Sequence, residues 1–350
     1  MIGIELFSGA GGMSLGASNA GIEIKLAIEI DKSAALTFEL NHPNATVIAD
    51  DVRNVKDIPI VAELGTKKIL FGGPPCQGFS RSNHKTRNRN NDKNWLFEEF
   101  ARITKLWKPD WIVLENVEGL LGTDGGFFIK EIVEKFSSIG YCIRYKVLNS
   151  EEYGVPQRRS RLFIVGSLEG IEFEFPQPNL IPKVTVGEAI ADLPIVENGN
   201  KETLLSYLKP PVSNFAKRLR GDLKQCKNHG VSTNTQKVLD RYEHIKQGGN
   251  WKDIPLELMD TYADVSRCHT GIYHRLHLEK PSVVIGNYRK NMLIHPVQNR
   301  GLSVREAARI QSFPDWFEFK GTLNEQQQQV GNAVPPFLAQ VIFQKIKGYN

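Results

Sequence analysis

Four short clusters hold the residues of this chain best suited to chemistry. Cys76 lies in Gly72-Gly73-Pro74-Pro75-Cys76-Gln77-Gly78-Phe79-Ser80, on a glycine-flanked turn straight after the apolar run Ile69-Leu70-Phe71. The thiolate is the attacking form of cysteine, and with a free pKa near ~8.5 a small fraction is ionised at neutral pH, so Cys76 is a candidate nucleophile. The alternative is a structural cysteine buried in a tight turn. Glu115 ends the apolar run Trp111-Ile112-Val113-Leu114, and a carboxylate there would sit on the ligand-bearing edge of a doubly wound sheet. A helix cap at Glu115-Asn116 is the competing reading. Arg159 and Arg161 alternate along Gln157-Arg158-Arg159-Ser160-Arg161 and in extended backbone would point to one side, although three clustered arginines are usually a solvated face. Ser8-Gly9-Ala10-Gly11-Gly12 follows Ile2 to Phe7, which reads as a short buried strand, and precedes a helical stretch. Strand, glycine turn, helix is a nucleotide-binding arrangement, in which glycines admit the ligand and the helix start offers free amides. Ser14 replaces the glycine that a dinucleotide fingerprint wants, so the turn alone is weak. Glu29 stands 20 residues beyond Gly9, the distance at which an acid grips ribose hydroxyls, with a solvated turn acid as the alternative.

These clusters need strands and helices to hold them. Leu96, Phe97, Phe100, Ile103 and Trp107 recur at helical spacing, and Pro109-Asp110 breaks the pattern before the strand that carries Glu115. Phe337, Leu338, Val341, Ile342 and Ile346 predict a closing helix with proline in its first turn. A chain of 350 residues with 41% hydrophobic content exceeds the usual single domain, so one larger and one smaller domain are expected. No stretch approaches a membrane span, and the N-terminus enters a strand at once without a leader pattern, which argues against secretion. The four cysteines are widely spaced, supporting neither disulfides nor a zinc site, and no metal is expected. Cys142, on the apolar run Tyr141 to Val147, is expected in the core.

The nonapeptide around Cys76 resembles the catalytic loop of the cytosine-5 DNA methyltransferases, of the bacterial and phage type. Other blocks agree with it: Phe7-Ser8-Gly9-Ala10-Gly11-Gly12, Glu115-Asn116-Val117, Gln157 to Arg161, Leu302 to Pro314, and Gln328-Gln329-Val330-Gly331-Asn332-Ala333-Val334-Pro335-Pro336. They stand in the family's usual order. The resemblance implies an α/β fold, a doubly wound, mostly parallel Rossmann-like sheet with a smaller target-recognition domain. The catalytic domain would span residues 1–180 plus 301–350, and the target-recognition domain 181–300. The implied cofactor is S-adenosyl-L-methionine, held by Phe7, Ser8, Gly9, Ala10, Gly11, Gly12, Glu29, Ile30, Asp51, Val52, Pro74, Asn332 and Ala333. Asp50 beside Asp51 leaves that register open by one residue. The implied catalytic set is Cys76 to attack carbon 6 of a flipped cytosine, Glu115 to serve nitrogen 3, and Arg159 and Arg161 to hold the base.

Charge adds a partner. Residues 181–300 hold 18 Lys+Arg and 12 Asp+Glu, whereas the rest holds 26 and 27, so the insert carries the basic excess. Arg81, Lys85, Arg87, Arg89 and Lys93 face only Asp92 between residues 81 and 93. A basic polar run is ordinarily solvated surface, but after a base-attacking cysteine it reads as a lid closing on phosphates. Ser80, Arg81, Ser82, Lys85, Arg87 and Arg89 are therefore expected at DNA, with Arg289 and Lys290 from the insert. Ser82 is a candidate to fill the vacated base stack. The expected partner is double-stranded DNA, with a cognate restriction endonuclease acting separately, and the protein is expected to be monomeric, cytoplasmic and nucleoid-associated. Two alternatives remain at this point. A tRNA cytosine-5 methyltransferase shares the chemistry, although that subgroup carries a different residue pair after Cys-Gln. A noncatalytic DNA-binding relative would keep the fold alone.

Overall fold

The computed structural model of the chain describes residues 1–75, 95–178, 182–262, 264, 265, 268, 270–290 and 292–349. It divides into two compact units. Unit 1 comprises Met1–Tyr153, Ser160–Asn179 and Pro336–Asn350; unit 2 comprises Gly154–Arg159 and Leu180–Pro335.

Unit 1 is built on a seven-stranded sheet: β1 (Ile2–Leu6), β2 (Glu23–Ile28), β3 (Thr46–Ile48), β4 (Lys68–Gly72), β5 (Trp111–Val117), β6 (Cys142–Asn149) and β7 (Ser160–Ser167). Their order is β3-β2-β1-β4-β5-β7-β6, with β7 antiparallel to both neighbours and every other pair parallel. Parallel strands are covered on both faces and so read as unbroken apolar runs; all five residues of β1 are buried. The covering helices are α1 (Gly12–Asn19), α2 (Lys32–Asn41), α3 (Leu96–Trp107) and α4 (Phe127–Ser138). Phe97, Phe100, Ile103 and Trp107 of α3 turn one stripe into the core, each large side chain contributing about 1.5–3 kcal/mol of burial. The closing helix, Pro336–Lys347, packs on α1 so closely that a Cβ on Gly16 would lie 2.6 Å from that of Ala339. Cys142 departs from expectation. It is only half-buried, because β6 is the edge strand and Tyr145 on it is 48% exposed.

Unit 2 contains α5 (Val186–Ile190), β8 (Leu204–Ser206), α6 (Asn214–Arg220), β9 (Gln225–Lys227), α7 (Gln236–Glu243), α8 (Val304–Ile310) and α9 (Leu323–Asn332). Here the compact unit cuts the chain differently from a boundary at residue 300. A buried guanidinium must be paired, and the arginines of α8 find partners on both sides of that point. Arg309 donates to Asp192 Oδ1 (2.5 Å) and to Asp315 Oδ2 (2.6 Å). Arg305 donates to the carbonyl of Lys227 (2.8 Å). These side chains are fully buried, so residues 302–335 pack with the insert.

Candidate active site

The carboxyl ends of the unit 1 strands gather the site. After β1 the chain turns through three left-handed residues, Phe7 (φ 56°), Gly9 (φ 53°) and Gly11 (φ 91°). Glycine is needed at Gly11 for a second reason: a Cβ there would lie 2.7 Å from the His42 ring and 2.8 Å from that of Phe38, both on or next to α2. The loop is tied to the end of β2 by Glu29, whose Oε2 accepts from Gly9 N (2.7 Å) and Oε1 from Asp31 N (2.8 Å). Burial raises the Glu29 carboxyl above its ordinary range, against the pull of these donors. Ile30 follows it 65% exposed. Ser8 Oγ is buried with no hydrogen-bond partner among the described residues, and a Cβ on Gly9 would meet open space. Asp51 caps the turn Val52–Asn54 and chelates Arg53, whose Nε lies 3.0 Å from Oδ1; that bond to Arg53 holds its carboxyl low. Val52 is buried in the core.

At the β4 and β5 ends the backbone itself is constrained. A Cβ on Gly72 would fall 2.0 Å from the carbonyl oxygen of Leu6, and one on Gly73 2.9 Å from Glu115 Oε2. Glu115 therefore lies over the turn that leads into Cys76. Its Oε1 meets Arg161 Nε at 2.8 Å, with both side chains almost enclosed (12% and 13% exposed). Arg161 reaches it from the neighbouring strand, because β5 and β7 pair Val117 with Arg161. Next to Glu115, Asn116 donates to the carbonyl of Pro74 (3.2 Å). Both residues lie within β5 rather than capping a helix.

Two contributors carried no sequence signal as site residues. Glu5, in the middle of β1, is 2% exposed and accepts from both the backbone N (3.1 Å) and the hydroxyl of Ser14 in α1. Burial pushes its carboxyl up to about 8. His42 stacks on Phe38 (4.4 Å) against the glycine loop, and burial lowers its imidazole to about 4, keeping it neutral. Charged side chains are rarely buried, so their types read as surface until the packing is seen.

In unit 2, Arg159 is 2% exposed and donates to the carbonyls of Ile285 (2.9 Å) and Gly331 (3.0 Å). Arg159 and Arg161 thus have separate partners. Asn332 ends α9 and accepts from Gln328 Nε2 (2.8 Å), while the carbonyl of Ala333 takes Gln311 Nε2 at 3.4 Å. Arg289 and Lys290 are exposed, and Arg289 donates to Asn324 Oδ1 (2.6 Å). Cys76 and the expected DNA residues Ser80, Arg81, Ser82, Lys85, Arg87 and Arg89 lie outside the described residues. Chemically, unit 1 presents an open-sided glycine loop with an acid at its base, and an enclosed carboxylate–guanidinium pair able to hold a planar polar ring.

The family model described as C-5 cytosine-specific DNA methylase matches residues 1–348. Type II methyltransferase M1.HphI of Haemophilus parahaemolyticus is 39% identical, over 99% of this chain and 87% of its own. Type II methyltransferase M.DdeI of Desulfomicrobium norvegicum is 34% identical, over 99% and 88%. Among solved structures, a protein described as a DNA modification methyltransferase encoded within an E. coli prophage superposes with a TM-score of 0.79 at 26% identity, covering 99% of each chain.

Proposed function

The chain belongs to the C-5 cytosine-specific DNA methylase family, and from that premise we propose that it methylates carbon 5 of a flipped cytosine in duplex DNA at a specific sequence. The observation that carries the reading is the Glu115–Arg161 pair lying beside Gly73, three residues before Cys76 in the chain. Carbon 5 of cytosine is a poor nucleophile until carbon 6 is attacked, and that attack needs nitrogen 3 to gain a proton or a strong hydrogen bond. Inside a duplex no side chain reaches carbon 6, so the base must leave the stack. The Cys76 thiolate then bonds to carbon 6 while Glu115 serves nitrogen 3. Arg161 fixes the carboxylate and orients the base. Arg159, whose guanidinium braces two carbonyls of unit 2, acts in this scheme by positioning. Loss of the carbon 5 proton with expulsion of Cys76 restores the aromatic ring.

S-adenosyl-L-methionine, when bound, supplies the methyl group that carbon 5 takes up. The residues present fit it. The buried Ser8 hydroxyl and the open side of Gly9 can receive a polar ligand, Glu29 retains acceptor capacity for ribose hydroxyls, and exposed Ile30 offers an apolar face to adenine. Asp51, Val52 and Pro74 complete the unit 1 set; Asn332 and Ala333 are assigned to the cofactor on the family resemblance alone. Residues 181–300 are assigned target recognition, with Arg289 and Lys290 at the DNA. A restriction–modification setting, a cytoplasmic location at the nucleoid and a monomeric state complete the proposal; among the described residues no helix is long and apolar enough to cross a membrane.

The test is incubation with methyl-labelled S-adenosylmethionine and either unmethylated duplex DNA or tRNA, beside Cys76→Ala. Label is expected in cytosine of DNA and absent with the variant. Label confined to tRNA would replace the substrate and keep the chemistry, whereas no label in either would leave a binding protein.

A further inference from the structure

The basic excess of the insert is concentrated in one place. Residues 201–227 hold seven Lys+Arg against two Asp+Glu, while the other residues of 181–300 hold 11 and 10. This segment runs from just before β8 through α6 to the end of β9, the two strands pairing antiparallel. Beside it lies an open groove of about 740 Å³ lined by Lys217, Arg220 and Lys224, with Asn214 as an uncharged donor and one carboxylate, Asp222. Lys217 and Arg220 are three apart on α6 and so share a face.

The three cations are held differently. Arg220 is fixed: its guanidinium donates to the carbonyl of Lys209 (2.7 Å), reaches Asp192 Oδ2 (3.4 Å) and lies 3.7 Å over the Tyr207 ring. Lys217 and Lys224 are exposed, and among the described residues no carboxylate lies within 4.0 Å of either. Several other surface lysines do have such neighbours: Lys67 has Asp110 and Glu169, Lys135 has Glu98, Lys227 has Glu318 and Lys237 has Asp260. A concave surface with one anchored guanidinium and two uncompensated ammonium groups presents a local positive field. Ligands of opposite charge density collect there.

We propose that this groove docks the sugar-phosphate backbone of duplex DNA without regard to sequence, an inference that rests on the DNA reading above. Lys217 and Lys224 pair with phosphates, and Asn214 supplies a neutral donor of the kind that positions a duplex without reading it. Each phosphate contact releases counterions, so it contributes about 0.9 to the slope of log affinity against log salt.

The experiment is binding of the full chain to a duplex of arbitrary sequence, by fluorescence anisotropy, between about 50 and 200 mM salt. Wild type is compared with Lys217→Gln/Lys224→Gln and with Lys105→Gln/Lys130→Gln, a matched loss of charge at exposed positions of α3 and α4 in unit 1. The groove pair is expected to flatten the slope by about 1.8 and the control pair to leave it unchanged. A misfolded fraction lowers the amplitude, not the slope. An unchanged slope in the groove pair overturns the inference and leaves an acidic protein partner as the surface's use; an equal flattening in both pairs overturns it as bulk charge. If wild type shows no salt-dependent duplex binding, the DNA reading falls with it.

Discussion

Glu115 and Glu5 show how one residue type takes opposite tasks according to what surrounds it. Glu115 is almost enclosed but faces Arg161 Nε at 2.8 Å, so its carboxyl is fixed where it could serve a ring nitrogen. Glu115→Gln keeps the shape and removes the acid. Turnover is expected to fall by about 10²–10⁴, the usual contribution of acid–base assistance, with cofactor affinity, read by calorimetry, unchanged; a variant retaining full turnover would remove Glu115 from the mechanism. Glu5 has no cation in its hydrogen-bond set. Its carboxyl titrates near 8 when folded against an ordinary 4.5, so the native state holds the extra proton between those values. The resulting stability is full below about 4.5 and is lost as pH rises through about 8. Glu5→Gln therefore gains on wild type as pH goes from 5 to 9 in urea unfolding, and parallel pH profiles would show that Glu5 is ionised in the folded protein.

At the scale of elements, the site depends on how closely backbones approach. Gly72 is the last residue of β4 and pairs with Leu6 on one side and Leu114 on the other, so any side chain there meets the Leu6 carbonyl. Gly72→Ala is expected to cost at least about 1–3 kcal/mol through overpacking, measured by chemical unfolding. A variant as stable as wild type would mean that β1 and β4 are not packed as described. The apolar stripe of α3 and the strand bearing Glu115 were legible because both are local periodicities. What the stripe packs against was not, since partners distant in sequence leave no periodic trace.

At the scale of the whole molecule, two units rest on different physics. Unit 1 is an apolar sandwich about a sheet. Unit 2 buries arginines, and Arg309 holds Asp192 and Asp315 with all three side chains fully buried. Those bonds depress the Asp315 carboxyl against the cost of its own burial. Arg309→Met would take from two buried carboxylates their shortest cationic contacts, at about 3–5 kcal/mol. The expected signature is an early unfolding step in urea, and a single transition at the wild-type midpoint would contradict it. The same buried bonds explain the boundary. Composition separates residues 181–300 as a basic insert, but the arginines of α8 draw part of their pairing from it, from Asp192 and the carbonyl of Lys227.

The sequence by itself determined which residues stand at strand ends and glycine turns, and through the order of its blocks it pointed to the family. Those features follow from backbone sterics and short-range periodicity, which are written in consecutive residues. Tertiary structure alone decided that Arg161 turns to Glu115 while Arg159 braces Ile285 and Gly331, that Glu5 is buried, and that Cys142 lies on an edge strand. In each case the deciding energy is the desolvation or pairing of a group by residues far away in the chain, and no local pattern encodes it.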